Sequence, residues 1–219
     1  LTFTPNANFS GPVNFTYTVT DNGTPPLSSI GNVGINVTPV NDAPVASADT
    51  VGLTTAEDMP LTISASALTG NDTDADLDTL TITSVTAATG GTVQLIGGNV
   101  VFTPNANFSG TAQFAYTISD GHGGTSSAMA TVIVGAVNDK PVNSVPGALS
   151  LNEDSSMFVH GLSVSDADAG SGIITTTLSV VHGTLTVASH GGAAVSNSGT
   201  GIVTLTGTVA QINLTLSVP

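Results

Sequence analysis

The sequence predicts an all-β fold: a tandem of Greek-key antiparallel β-sandwiches. Three observations predict it. A long block repeats letter for letter, apolar residues alternate with polar ones at period two, and Gly, Asn, Asp and Pro punctuate the chain about every eight to twelve residues. Residues Thr4-Pro-Asn-Ala-Asn-Phe-Ser-Gly11 recur as Thr103–Gly110. Eight identical consecutive residues are a duplication, not a coincidence.

The elements follow in order. After the block, Val13, Phe15, Tyr17 and Val19 alternate with polar residues, as do Ala112, Phe114, Tyr116 and Ile118. Each run stops at a turn, Asp21-Asn-Gly23 or Asp120-Gly-His-Gly123, and a second alternating run follows, such as Val33-Gly-Ile35-Asn-Val37. Each hairpin closes at an Asn-Asp linker: Val40-Asn-Asp42-Ala-Pro44, then Val137-Asn-Asp139-Lys-Pro141. Past each linker come a Glu-Asp pair (Glu57-Asp58, Glu153-Asp154) and an Asp-Xaa-Asp run (Asp74-Ala-Asp76, Asp166-Ala-Asp168). Leu80-Thr-Ile82, Thr177–Val180 and Ile202–Leu205 read as further strands. Helical periodicity is confined to one candidate turn, Val209–Asn213. About seven strands in roughly a hundred residues is the requirement of an immunoglobulin-like sandwich.

The linkers set the expected domains. Residues 1–41 are the closing strands of one repeat, 42–139 a complete repeat, and 140–219 the opening part of a third. What the third repeat lacks is what residues 1–41 contain, so strand complementation between copies is one expected way for the chain to assemble.

Composition excludes several classes. The 219 residues carry 15 acids against one base, Lys140, for a net charge of −14. Nucleic-acid binding needs several cations to neutralise phosphates, so it is excluded, and anionic membrane is nearly as poor a partner. No apolar run is long enough to insert in a bilayer. Cysteine is absent, which removes disulfides, zinc–thiolate sites and thiol nucleophiles. The four histidines show no metalloprotease spacing, and no Gly-Xaa-Ser-Xaa-Gly elbow occurs. Acid pairs that recur with every repeat do not describe a single active site, so an enzyme is not expected. The recurring aromatics Phe9, Phe15, Tyr17, Phe102, Phe108, Phe114 and Tyr116 are expected in cores. His122 is read as an exposed hairpin residue beside Asp120.

The acids themselves are clustered, with Asp49 the one clear outlier. In an antiparallel sandwich the linker, the loop after the second strand and the last hairpin turn reach one end. That gathers Asp42, Asp72, Asp74, Asp76 and Asp120 at the first junction. The second collects Asp139, Asp166 and Asp168, with Glu57 and Asp58 from the far end of the preceding repeat. Two carboxylates about 5 Å apart repel by roughly 3 kcal/mol at an effective dielectric near 20. A hard dication with oxygen ligands relieves this, and a carboxylate-rich set favours calcium over magnesium. The run Asp72–Asp78 is not an EF-hand loop, because Leu77 stands at the glycine position and Thr83 at the closing glutamate.

Tyr17-Thr-Val-Thr-Asp21, Val33–Val37 and Val40-Asn-Asp-Ala-Pro44 together resemble the last strands and linker of a cadherin repeat. The Phe-Thr-Pro-Asn-Ala-Asn-Phe-Ser-Gly block is similar to the cadherin-like tandem repeats of giant bacterial surface adhesins. The resemblance implies calcium at the junctions. Asn41 and Asp42 match the linker motif, Asp74 and Asp76 the Asp-Xaa-Asp motif, Asp120 the pre-hairpin aspartate, and Glu57 the first-strand glutamate. Asn138, Asp139, Asp166 and Asp168 match at the second junction. The Leu-Asp-Arg-Glu motif of cadherins is absent from the complete repeat. The implied function is a calcium-rigidified extracellular spacer at a bacterial cell surface, in adhesion or biofilm matrix. Its implied partners are neighbouring repeats, other copies of itself, or a surface or matrix glycan or protein. Alternatives are a filament subunit joined by strand complementation and a carbohydrate- or protein-binding module.

Overall fold

The computed structural model describes residues 1–218, apart from the side chain of Ala87. Pro219, the last residue of the expected third repeat, lies outside the described residues. The chain forms two compact units, Leu1–Gly135 and Ala136–Pro219.

The first unit opens with a hairpin, β1 (Gly11–Thr20) and β2 (Ser28–Val37), paired over ten residues each. Seven further strands follow: β3 (Thr54–Ala56), β4 (Leu61–Ile63), β5 (Thr81–Thr89), β6 (Gly91–Ile96), β7 (Asn99–Pro104), β8 (Gly110–Ser119) and β9 (Thr125–Gly135). They make a sheet of order β3-β9-β8-β5 and another of order β4-β7-β6. The β3–β9 pairing is parallel; every other pair is antiparallel. Consecutive strands β3 and β4 sit in different sheets, as a sandwich crossover requires.

Alternation places Phe114, Tyr116, Ile118, Val132 and Val134 of the first sheet inward against Ile63, Val100 and Phe102 of the second. Phe102 and Phe114 stack with centroids 6.4 Å apart, a pairing worth about 0.5–1.5 kcal/mol beyond area burial. A short helix, α1 (Ala65–Thr69), interrupts the strands and buries Leu68 completely. It is too short to show helical periodicity, so period-based reading does not detect it.

The duplicated block folds the same way twice. Asn8 and Asn107 both take positive φ, 57° and 55°, and Gly11 and Gly110 follow at 121° and 125°. Asn tolerates the first conformation; only glycine readily takes the second. These backbone demands account for the repetition of those letters. The hairpins also share their length: β8 pairs with β9 over ten residues, as β1 does with β2.

Their surroundings differ. Tyr116 and Ile118 are fully buried, whereas their copies Tyr17 and Val19 are 55% and 61% exposed. The core expectation therefore holds for Phe102, Phe114 and Tyr116, and Phe108 packs at the edge of the same core. It does not hold for Tyr17 and Phe9, because β1–β2 is a two-stranded sheet with no second sheet facing it among the described residues.

The second unit contains β10 (Val142–Ser144) paired with β11 (Ser163–Ser165), and a sheet of order β12 (Ile174–Ser179), β14 (Ile202–Gly207), β13 (Ala194–Ser196). Helix α2 (Val209–Ser217) is longer than the single turn expected. A capping box starts it: the Thr208 hydroxyl accepts from the Gln211 amide at 3.3 Å, and the Thr208 amide donates to Gln211 Oε1 at 2.9 Å. Ile212 and Leu216, four apart, then bury one face beside Val203 and Leu205. Asn213 hydrogen-bonds both the amide and the carbonyl of Val164 at 2.8 Å, tying α2 to β11 much as a neighbouring strand would.

Candidate metal centre

The acidic loop between α1 and β5 is shaped by its own carboxylates. Asp74 Oδ1 accepts from the amides of Asp76 (2.9 Å) and Asp78 (3.3 Å), and Leu77 takes φ 63°. The loop thereby curls around Asp74. One carboxylate oxygen from each of Asp74, Asp76 and Asp78 lies within 4.8 Å of the others. Oδ2 of Asp74 is buried without a hydrogen-bond partner. Three carboxylates this close, one holding an orphaned oxygen, suit a hard cation that prefers oxygen. The oxygen donors of Asp74, Asp76 and Asp78 therefore fit calcium.

The linker is tied to this loop. The Asp42 amide donates to Asp76 Oδ2 at 2.7 Å. Asn41 donates from Nδ2 to Asp120 Oδ2 at 2.9 Å, which attaches the linker to the β8–β9 turn as well. Asp120 is buried and also accepts from the amides of His122 and Gly124. The Asn41 amide is the largest influence on it. With the backbone donors it outweighs burial and holds the carboxyl below the ordinary aspartate value. Asp21 does the same in the first hairpin, where the amides of Leu27 and Gly23 lower it.

The structure brings Asn41, Asp42, Asp74, Asp76 and Asp120 into one connected network. It adds two residues outside the expected ligand set. Asp78 completes the carboxylate trio, and exposed His122 reaches back to Asp78 with an Nδ1–Oδ2 distance of 2.9 Å. The signal for Asp78 was in plain view, four residues after Asp74 in the same acidic run.

Asp72 does not join the trio. It turns toward the core, where Oδ1 accepts from the Ser47 amide at 2.7 Å and from the Tyr116 hydroxyl at 3.3 Å. Glu57 is buried, and its amide donates to Gly135. Asp58 is exposed at φ 59°, and its Oδ1 accepts from the Asn107 amide at 3.1 Å. The Glu-Asp pair thus lies beside the second copy of the duplicated block.

The second unit repeats the linker geometry. The Asp139 amide donates to Asp168 Oδ2. Asp166 Oδ1 accepts from the amides of Asp168 (3.0 Å) and Ala169 (2.9 Å). Asn138 Nδ2 donates to the Asp139 carbonyl at 3.2 Å.

Residues 40–135 match the family model of the cadherin-like domain, and residues 1–35 that of the bacterial Ig domain. Over those residues the chain is similar to cadherin-like and immunoglobulin-like domains. The fold agrees with solved structures. The Protocadherin Gamma B2 extracellular cadherin domains 3–6 superpose with TM-score 0.51 at 22% identity, covering 94% of this chain and 54% of that one. The Protocadherin Gamma B7 extracellular cadherin domains 1–4 give TM-score 0.51 at 18% identity, covering 93% and 50%. Against the first protocadherin structures matched, the chain spans between 34% and 50% of their length. No curated protein sequence matches it. Among the described residues no helix is long and apolar enough to cross a membrane.

Proposed function

We propose that this chain is a calcium-rigidified spacer from a long extracellular bacterial adhesin, with repeats divided at 1–41, 42–139 and 140–219. The observation that carries the reading is the linker contact made twice, Asp42 to Asp76 and Asp139 to Asp168. A contact that recurs with the repeat belongs to how repeats are joined, not to one active site.

Asp74, Asp76 and Asp78 would hold the ion at the first junction, beside Asp42, Asn41 and Asp120. Asp139, Asp166 and Asp168, with Asn138, are their counterparts in the second unit. A bound dication supplies charge neutralisation. The chain's own contribution is to pin the linker amide to the ligand loop, so that ordering one orders the other. Flexible linkers become stiff, and proteases lose access.

Thermal unfolding in EDTA, then in millimolar calcium, with magnesium as control, tests the reading. Calcium at about a hundred times its dissociation constant adds roughly 2.7 kcal/mol per site. The expected result is a calcium-specific rise of several degrees that Asp74→Ala/Asp76→Ala reduces. No rise leaves the carboxylates as solvated turns and ends the calcium mechanism.

The exposed inner face of β1–β2 favours a second reading, assembly between copies. Tyr17 and Val19 lie open where the same positions of β8 are buried. In this reading the open hairpin face of one copy is covered by another copy. Size-exclusion chromatography with light scattering decides: a monomer at high concentration removes this reading and leaves the spacer intact.

A further inference from the structure

The complete repeat contains a second group of oxygens, apart from the carboxylate trio and deeper in the sandwich. Asp49 is only 9% exposed, and its Oδ2 has no hydrogen-bond partner. Its backbone is locked against β9, with the Asp49 amide donating to Met129 and the Thr131 amide to Asp49. These bonds fix the position of its backbone against the sheet. Asp72 approaches the same place, and its Oδ2 is likewise buried without a partner.

Between them stands one phenol. The Tyr116 hydroxyl lies 2.9 Å from the Ser47 carbonyl, 3.3 Å from the Leu68 carbonyl and 3.3 Å from Asp72 Oδ1, and the Asp49 carboxyl is close enough to interact with it. A phenol has one proton to donate, so four acceptors compete for it. Two further donors nearby are already engaged. The Ser47 amide serves Asp72 Oδ1, and Asn71 Nδ2 serves the carbonyls of Ser47 and Ala48. The chain's single basic side chain, Lys140, belongs to the other unit. Burial raises the Asp49 carboxyl above its ordinary value, and the Asp72 charge adds to this. The pocket is rich in acceptors and short of positive charge.

We propose that Asp49 and Asp72, with the carbonyls of Ser47 and Leu68 and the Tyr116 oxygen, form an internal cation site for a hard, oxygen-seeking ion of the calcium class. A cation neutralises both carboxylates at once and uses the surplus carbonyl lone pairs. A proton on Asp49 would satisfy one carboxylate and leave the rest of the surplus. The site ties the segment 47–49 and α1 to β8, independently of any ion at the linker.

The protein has two tyrosines and no tryptophan, which gives a direct test. In a Tyr17→Phe background Tyr116 is the sole sensitiser of terbium luminescence. Terbium, titrated into the EDTA-stripped full chain, should give tyrosine-sensitised emission that survives Asp76→Asn, which weakens the linker trio. Asp49→Asn should cut that surviving emission at least tenfold and remove one calcium from the native mass spectrum. Circular dichroism checks that each variant folds. Native mass spectrometry of Asp74→Ala/Asp76→Ala supplies an independent count: it should retain one calcium that adding Asp49→Asn removes. Emission that vanishes with Asp76→Asn, or an unchanged ion count in Asp49→Asn, overturns the proposal and assigns the pocket a proton instead.

Discussion

The backbone amide of Asp42 donates to Oδ2 of Asp76 at 2.7 Å, across 34 residues of sequence. A main-chain donor at the linker is thereby satisfied by a carboxylate that also belongs to the candidate ion cluster. The same contact recurs between Asp139 and Asp168. The linker and the ligand loop are one mechanical element, so a change at the loop is felt at the linker.

That coupling makes Asp76→Ala depend on conditions. In EDTA the variant loses one hydrogen bond but also relieves repulsion within the carboxylate trio, two effects of similar size and opposite sign. Its melting temperature should stay close to that of the parent. In millimolar calcium it should fall several degrees behind. An equal loss in both buffers would show that Asp76 acts through packing alone.

Acid titration should separate Asp120 from Asp49. The amides around Asp120 lower its folded-state pKa. Its contribution is present above the unfolded value, near 3.8, and disappears as pH falls through the lower folded value. Burial raises the pKa of Asp49, so the sign reverses. Its protonated form is the one the fold prefers, and stability is lost as pH rises through the folded value. In EDTA, urea unfolding between about pH 3 and 7 should show a flatter acid limb for Asp120→Asn. Asp49→Asn should be more stable than the parent at pH 7. A less stable Asp49→Asn in EDTA contradicts this account of the pocket.

The two copies of one phenylalanine should behave differently. Phe114 is fully buried and stacked on Phe102, so Phe114→Ala should cost about 3–5 kcal/mol. Phe15 is only half-buried in a two-stranded sheet, and Phe15→Ala should cost less than about 1 kcal/mol. Chemical denaturation of each variant measures the contrast. Equal costs would mean that the first hairpin is covered in solution as the second is.

The second unit can be probed through its helix. Thr208→Ala removes half of the capping box and should cost about 1 kcal/mol. Hydrogen exchange should localise the effect to α2 and to Val164, which Asn213 holds. A change confined to residues before Ala136 would contradict the division into two units.

Much of this was legible in the residues. Period-two alternation places Phe114, Tyr116 and Ile118 on one face, because a strand offers no other geometry. The duplicated Asn and Gly letters encode positive φ, which few other residues accept. The acidic motifs at 42, 74, 76 and 120 were found by spacing, and the fold gathers them.

Tertiary structure alone decided which member of each equivalent pair matters. Tyr17 and Tyr116 stand in matching strands, yet one is exposed and the other buried, because only β8 faces a second sheet. Asp72 reads as one more linker acid, but Ser47 and Tyr116 draw it inward. Asp49 stood outside every motif and became the most deeply placed carboxylate of the Tyr116 pocket. Local sequence sets backbone conformation and alternation, which act over a few residues. Burial, charge pairing and ion affinity depend on which distant segments meet, and that is a property of the folded sandwich.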